Sequence, residues 1–116
     1  MIDKLILYQK TYDLYLYTHK FIKKFPKSER FLISKALQGS LLEAIKLSVK
    51  ANLQKNQKRR LIYQEGIEVQ LQIYLTVLRL SRDLNFLPKK KYQHASFLVN
   101  EIIKILYGWK KSKKEN

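Results

Sequence analysis

Apolar residues recur along this chain at steps of three and four, the spacing that gathers them on one side of an α-helix, and four such stretches follow one another. The first is read over 3–24, with Leu5, Tyr8, Tyr12, Tyr15, Leu16, His19 and Ile22 as its inward stripe. Pro26 ends it, because the residue before a proline avoids the α region, and Ser28 is the expected N-cap of the next helix. The second is read over 29–53 on Ile33, Leu37, Leu41, Ala44, Ile45 and Ser48. The small residues Ala36, Gly39, Ser40, Ala44, Ser48 and Ala51 suit close approach of a neighbouring helix. Gly39 costs about 1 kcal/mol against alanine in mid-helix, so it is expected where two backbones pack tightly.

A polar run at 54–58 leads into a third helix over 59–84, which carries two apolar lines. Ile67, Leu71, Tyr74 and Leu78 form one; Ile73, Val77, Leu80 and Leu84 form the other. One line covers a bundle core, and the second widens the stripe beyond what a monomer needs, which predicts self-association. Asn85 is the expected stop. Pro88 sits in the first turn of a fourth helix over 89–111, where its missing N–H costs nothing; the seam is Tyr92, Ala95, Val99, Ile102 and Leu106. Residues 112–116 are expected to fray. Four helices of matched length with short connections predict an all-α fold, an antiparallel up-down-up-down four-helix bundle forming one domain over 1–116.

Composition changes this picture mainly through charge. The 116 residues carry 24 Lys and Arg against 9 Asp and Glu, a formal net charge of +15. A folded domain with that excess repels itself unless counterions or a partner neutralise it; RNA, DNA or both are the expected partners, against a lysine-rich surface that merely keeps the protein soluble. Basic residues gather in sequence. Lys20, Lys23, Lys24, Lys27 and Arg30 surround the first turn, and Lys55, Lys58, Arg59 and Arg60 the second. Lys89, Lys90 and Lys91 open the fourth helix, and Lys110, Lys111, Lys113 and Lys114 close it. In an antiparallel bundle the first turn and the start of the fourth helix share one end, with the second turn and both termini at the other. Arg79 and Arg82 stand apart, inside an apolar segment beside Asp83. They fit a structural ion pair or subunit rim, and equally a pair aimed into the channel of an oligomer. Tyr107 and Trp109, beside Gly108 and the lysine-rich tail, are the aromatic residues placed to stack on bases.

Other chemistry finds little support. The chain has no cysteine, which removes disulfides, thiolate zinc sites and a cysteine nucleophile. A di-iron bundle needs Glu-x-x-His pairs; neither His19 nor His94 has a glutamate three residues before it, and Glu65 and Glu68 lack a histidine partner. His19, on the predicted apolar face, reads as a hydrogen-bonded core residue. No phosphate-cradling glycine loop or nucleophile elbow occurs, so no enzyme activity and no cofactor are expected. Without a signal peptide or a membrane-spanning apolar run, the expectation is a soluble cytoplasmic protein with no membrane partner.

Three segments carry a resemblance to a known family. They are Phe25, Pro26, Lys27, Ser28, Glu29, Arg30, Phe31; then Leu78, Arg79, Leu80, Ser81, Arg82, Asp83, Leu84; then Glu101, Ile102, Ile103, Lys104, Ile105, Leu106, Tyr107, Gly108, Trp109. In order and spacing they resemble the Avd-like four-helix bundle proteins over nearly the whole chain. Avd, the accessory variability determinant, is the partner of the reverse transcriptase in diversity-generating retroelements. A sister group, encoded by intervening sequences of 23S ribosomal RNA genes, typically carries an Asn-Ile-Ala-Glu-Gly-like segment in its second helix. Here that region reads Leu41, Leu42, Glu43, Ala44, Ile45, Lys46, Leu47. The resemblance implies a barrel-shaped homopentamer, non-catalytic, that binds RNA and DNA and docks a reverse transcriptase. The alternatives are a stand-alone structural bundle with protein partners only, or an RNA-binding protein of the intervening-sequence type.

Overall fold

The computed structural model describes residues 2–112; the end of the basic tail, with Lys113 and Lys114, lies outside them. Four α-helices follow in order: α1 (Ile2–Ile22), α2 (Lys35–Leu53), α3 (Gln57–Asp83) and α4 (Lys89–Lys111). Contacts run α1 to α2, α2 to α3, α3 to α4 and α4 back to α1, the closed cycle of an up-down four-helix bundle. The body measures 46 × 24 × 19 Å.

Each helix buries positions that alternate steps of four and three. On α2 these are Leu37, Leu41, Ala44, Ser48 and Ala51; on α3 Arg60, Gln64, Ile67, Leu71, Tyr74, Leu78 and Ser81; on α4 Ala95, Val99, Ile102, Leu106 and Trp109. A strict seven-residue repeat keeps its seam inward in helices that wind left-handedly about one another. The second apolar line of α3 stays outside this seam, with Ile73, Leu80 and Leu84 exposed.

On α1 the predicted stripe is overturned except at Ile22, which is buried, and Tyr15, which is partly buried. Leu5, Tyr8, Tyr12, Leu16 and His19 are exposed, and the seam is Leu7, Thr11, Leu14, Thr18, Phe21 and then Phe25 beyond the helix end. The two threonines explain the error. Their side chains read as polar, yet Thr11 Oγ1 donates to the Leu7 carbonyl at 2.8 Å and Thr18 Oγ1 to the Leu14 carbonyl at 2.8 Å, so both hydroxyls enter the core with their hydrogen satisfied. Thr18 Oγ1 in turn accepts from Tyr74 Oη at 2.6 Å, since its own hydrogen is engaged. This bond joins α1 to α3, two helices that are not neighbours in the cycle. Burial pushes the Tyr74 phenol far above its ordinary 10.0, against the smaller opposing effect of the Thr18 bond.

The connections also depart from expectation. Ser28 caps nothing; its hydroxyl meets Glu29 at 3.3 Å within a short 3₁₀ turn, Lys27–Glu29. A π-helical turn, Arg30–Ser34, precedes α2, so the second α-helix begins later than the predicted 29. The wider turn brings Ile33 and Ser34 inward together and leaves Phe31 84% exposed. Between α2 and α3, Asn56 is the true cap, its side chain accepting from Arg59 N at 3.0 Å, so α3 begins at Gln57. Asn85 does end α3: at φ 65° it closes a Schellman motif, with Phe86 N bonded to Ser81 O and Asn85 N to Arg82 O, each at 2.9 Å. The tight glycine is Gly66, whose added Cβ would lie 3.1 Å from Leu47 Cδ1 on α2. Gly39 faces outward, with nothing within 4 Å of such an atom.

Arg60 is 5% exposed. Its Nε and Nη2 donate to the Gln54 carbonyl at 3.2 and 2.9 Å and tie the end of α2 to the start of α3. This guanidinium is a structural clamp, not a surface contact, because the seven-residue seam of α3 turns position 60 inward.

Three stability outcomes follow. Thr18→Val strands the buried Tyr74 hydroxyl and costs about 1–3 kcal/mol in urea unfolding, whereas Tyr74→Phe removes only one bond and costs about 1 kcal/mol. Stability falls as pH rises past 10.0, because the unfolded phenol of Tyr74 ionises there and the folded one holds its proton. Arg60→Ala costs about 2 kcal/mol, and Arg59→Ala stays within about 0.5 kcal/mol of wild type in the same assay.

Candidate nucleic-acid interface

The fold divides the basic residues between two ends. At one, the close of α1 and the first turn contribute Lys20, Lys23, Lys24, Lys27 and Arg30, the start of α4 contributes Lys89, Lys90 and Lys91, and the close of α3 contributes Arg79 and Arg82. Glu29 and Asp83 are the only acidic residues within 19–38 and 75–94. Among the described residues, Lys20, Lys23, Lys24, Lys27, Lys89 and Lys90 are exposed and meet no carboxylate. A plug of aromatic rings lies beneath this end. Phe21 stacks toward Phe25, Phe25 toward Phe86, and Tyr17 meets Phe21 and His94 edge-on at 5.6 and 5.0 Å. Lys91 Nζ lies 5.9 Å from the Tyr17 ring centre, a cation–π contact that leaves the ammonium at the rim.

Arg79 and Arg82 share Asp83. Arg82 donates from Nε and Nη2 to Asp83 Oδ1 at 3.1 and 2.9 Å and lies over the Tyr92 ring at 4.4 Å. Arg79 Nε stands 3.9 Å from Asp83 Oδ2 with its side chain 70% exposed. Two guanidinium groups on one carboxylate leave a net positive charge, so the ion pair positions the arginines without cancelling them.

The opposite end holds Lys55, Lys58 and Arg59 from the second connection, all exposed, and Lys110 and Lys111 from the close of α4. It is less free of acid. Glu68 accepts from Tyr107 Oη at 2.5 Å and pairs with Lys110 at 3.4 Å. The Glu68 bond, then its negative charge, raise the Tyr107 phenol above its usual range. Tyr107 is exposed as expected but tied to α3. Trp109 is not available for stacking on bases: it is 2% exposed, because it occupies the last inward position of the α4 seam. His19, expected in the core, is at the surface, its Nδ1 3.3 Å from Gln38 Nε2.

Two apolar surfaces flank the bundle between its charged ends. Leu5, Tyr8, Tyr12 and Leu16 of α1 and Leu42 and Val49 of α2 are exposed; Lys4, Leu5 and Tyr8 line one groove with Ser48, Val49 and Asn52. The other surface is the outer side of α3, with Ile62, Val69, Ile73 and Leu80 exposed. Hydrophobic spacing put the α3 surface on its correct side and mistook the α1 surface for core.

Among the described residues no cluster of His, Asp or Glu is placed to hold a metal ion, and no helix is long and apolar enough to cross a membrane. A search of curated proteins returned no match. A family model described as bAvd-like matches residues 5–113, a span that takes in all three sequence segments quoted above and both charged ends. The chain belongs to the bAvd-like family.

Proposed function

We propose that this protein is a non-catalytic nucleic-acid-binding subunit that assembles into a ring and assists the reverse transcriptase of a diversity-generating retroelement, holding template RNA and nascent cDNA. The observation that carries the reading is the end of the bundle where Lys20, Lys23, Lys24, Lys27, Lys89 and Lys90 stand exposed without carboxylates. Phosphate backbones are bound by such charge, with displaced counterions as the driving force. Binding of this kind reads the backbone and not the base sequence. Lys58, Arg59, Lys110 and Lys111 supply a second, weaker patch at the far end, while Arg79 and Arg82 add fork-shaped donors suited to phosphate. Membership of the bAvd-like family supports the retroelement setting.

Ring assembly is supported by the two exposed apolar surfaces. They are different surfaces on different helices, and a contact between unlike patches generates a closed ring when its rotation closes. A pentamer would concentrate five times the +15 of one chain in a single body.

In affinity measurements with single- and double-stranded RNA and DNA, log K falls linearly with log salt. Replacing Lys23, Lys27, Lys89 and Lys90 together by alanine lowers the slope by roughly 0.7–0.9 for each phosphate no longer neutralised. Salt-insensitive binding, or none, sinks the reading. Light scattering gives a multiple of the chain mass, and Ile73→Glu or Leu42→Glu each reduces it to a single chain that keeps its helical circular dichroism.

A further inference from the structure

Six serines and threonines are buried among the described residues: Thr11, Thr18, Ser34, Ser40, Ser48 and Ser81. Five of them donate to a carbonyl of their own helix, three or four residues back. Ser34 does not: it is 4% exposed and its Oγ has no partner among the described residues, a state shared by the Oγ of the half-buried Ser96 on α4. Ser34 closes the π-helical turn Arg30–Ser34, whose hydrogen-bond register differs from that of an α-helix. A buried hydroxyl without a partner is a standing cost, and a site that keeps one invites the question of what meets it.

Ser34 lines a cleft of about 260 Å³ between the end of α1 and the start of α2, together with His19, Ile22, Lys23, Arg30 and Gln38. No carboxylate lines it. Arg30 Nη2 donates to the Lys23 carbonyl at 3.4 Å, and its other donors have no partner among the described residues. Gln38 Nε2 contacts both Tyr15 Oη and His19 Nδ1 at 3.3 Å; with Nδ1 accepting, the ring hydrogen of His19 sits on Nε2 as a further donor. The cleft thus offers a guanidinium, an ammonium and an imidazole N–H, with Ile22 as an apolar wall and the Ser34 hydroxyl buried beneath.

We propose that this cleft is a binding site for a single phosphoryl group. Two full positive charges on one cleft, with neutral donors beside them, suit a tetrahedral oxyanion, and charge-assisted bonds are the strong ones. The site deepens the nucleic-acid reading and rests on it for the source of the phosphate. It gives the diffuse basic end one defined contact point.

The test uses the whole protein with inorganic phosphate as probe, followed through the amide resonances and the His19 ring in NMR. Saturable shifts confined to His19, Arg30, Ser34 and Gln38 are expected. Ser34→Ala is expected to weaken phosphate binding about tenfold while leaving the unfolding temperature equal or higher, since its hydroxyl has no protein partner. Arg30→Gln, a surface change, should weaken it at least as much. Absent or dispersed shifts overturn the proposal, as does a Ser34→Ala protein of unchanged affinity or lowered unfolding temperature. A parallel arm compares single-stranded oligonucleotides of one sequence with a 5′-hydroxyl or a 5′-phosphate. Equal loss for both in Ser34→Ala assigns the cleft to a backbone phosphate, and loss restricted to the second assigns it to a terminal one. Tight oligonucleotide binding with no phosphate response overturns the cleft and leaves the nucleic-acid reading standing. Phosphate saturation without oligonucleotide binding does the reverse.

Discussion

The hydrogen bond from Tyr74 to Thr18 is the constraint on which the arrangement of surfaces depends. A phenol at the centre of a four-helix core needs an acceptor, and the hydroxyl of Thr18 supplies it. Thr18 serves only if α1 is rotated so that its threonines face inward. That rotation carries Leu5, Tyr8, Tyr12 and Leu16 out to the surface. One buried polar contact therefore decides both what the core contains and which apolar residues are left for another surface to cover. Because the bond spans the diagonal of the bundle, it also fixes the register of α1 against α3, a pair that is not adjacent in the cycle.

How much of this was legible follows from where the pattern was unambiguous. On α2, α3 and α4 the apolar residues repeat cleanly, and Leu37, Leu41, Ile67, Leu71, Tyr74, Leu78, Val99, Ile102 and Leu106 are buried as their spacing predicts. On α1 two apolar stripes compete, and the buried one contains Thr11 and Thr18. Hydropathy cannot choose between them, since the decision lies with Tyr74, far along the chain on α3. Trp109 was misread for a related reason: a seam position outranks the lysine-rich company of the residues around it. Gly39 and Gly66 look alike in sequence, and only the position of Leu47 tells them apart.

The basic residues show the same division. Those at the first turn and at the start of α4 were placed by topology alone, since a proline-ended helix and a short connection leave few options. Arg60 was grouped with Lys58 and Arg59 by adjacency, but one step along a helix turns a side chain by about 100°. That step separates a clamp on the Gln54 carbonyl from a pair of solvated cations. Nor does composition reveal the cleft around Ser34, which lies beside a turn with π-helical bonding where an α-helix is expected.

That turn has a further meaning for how the chain tolerates change in length. An i→i+5 turn holds one residue more than an α-helical turn, so Arg30–Ser34 behaves as an insertion absorbed before α2 begins. Downstream of it, Leu37, Leu41, Ala44, Ser48 and Ala51 keep their own unbroken sevenfold count. A chain one residue shorter here keeps the same seam with an ordinary helical turn in place of the wider one. The seam of α2 is thus counted from its own residues, independently of the number of residues in the connection before it.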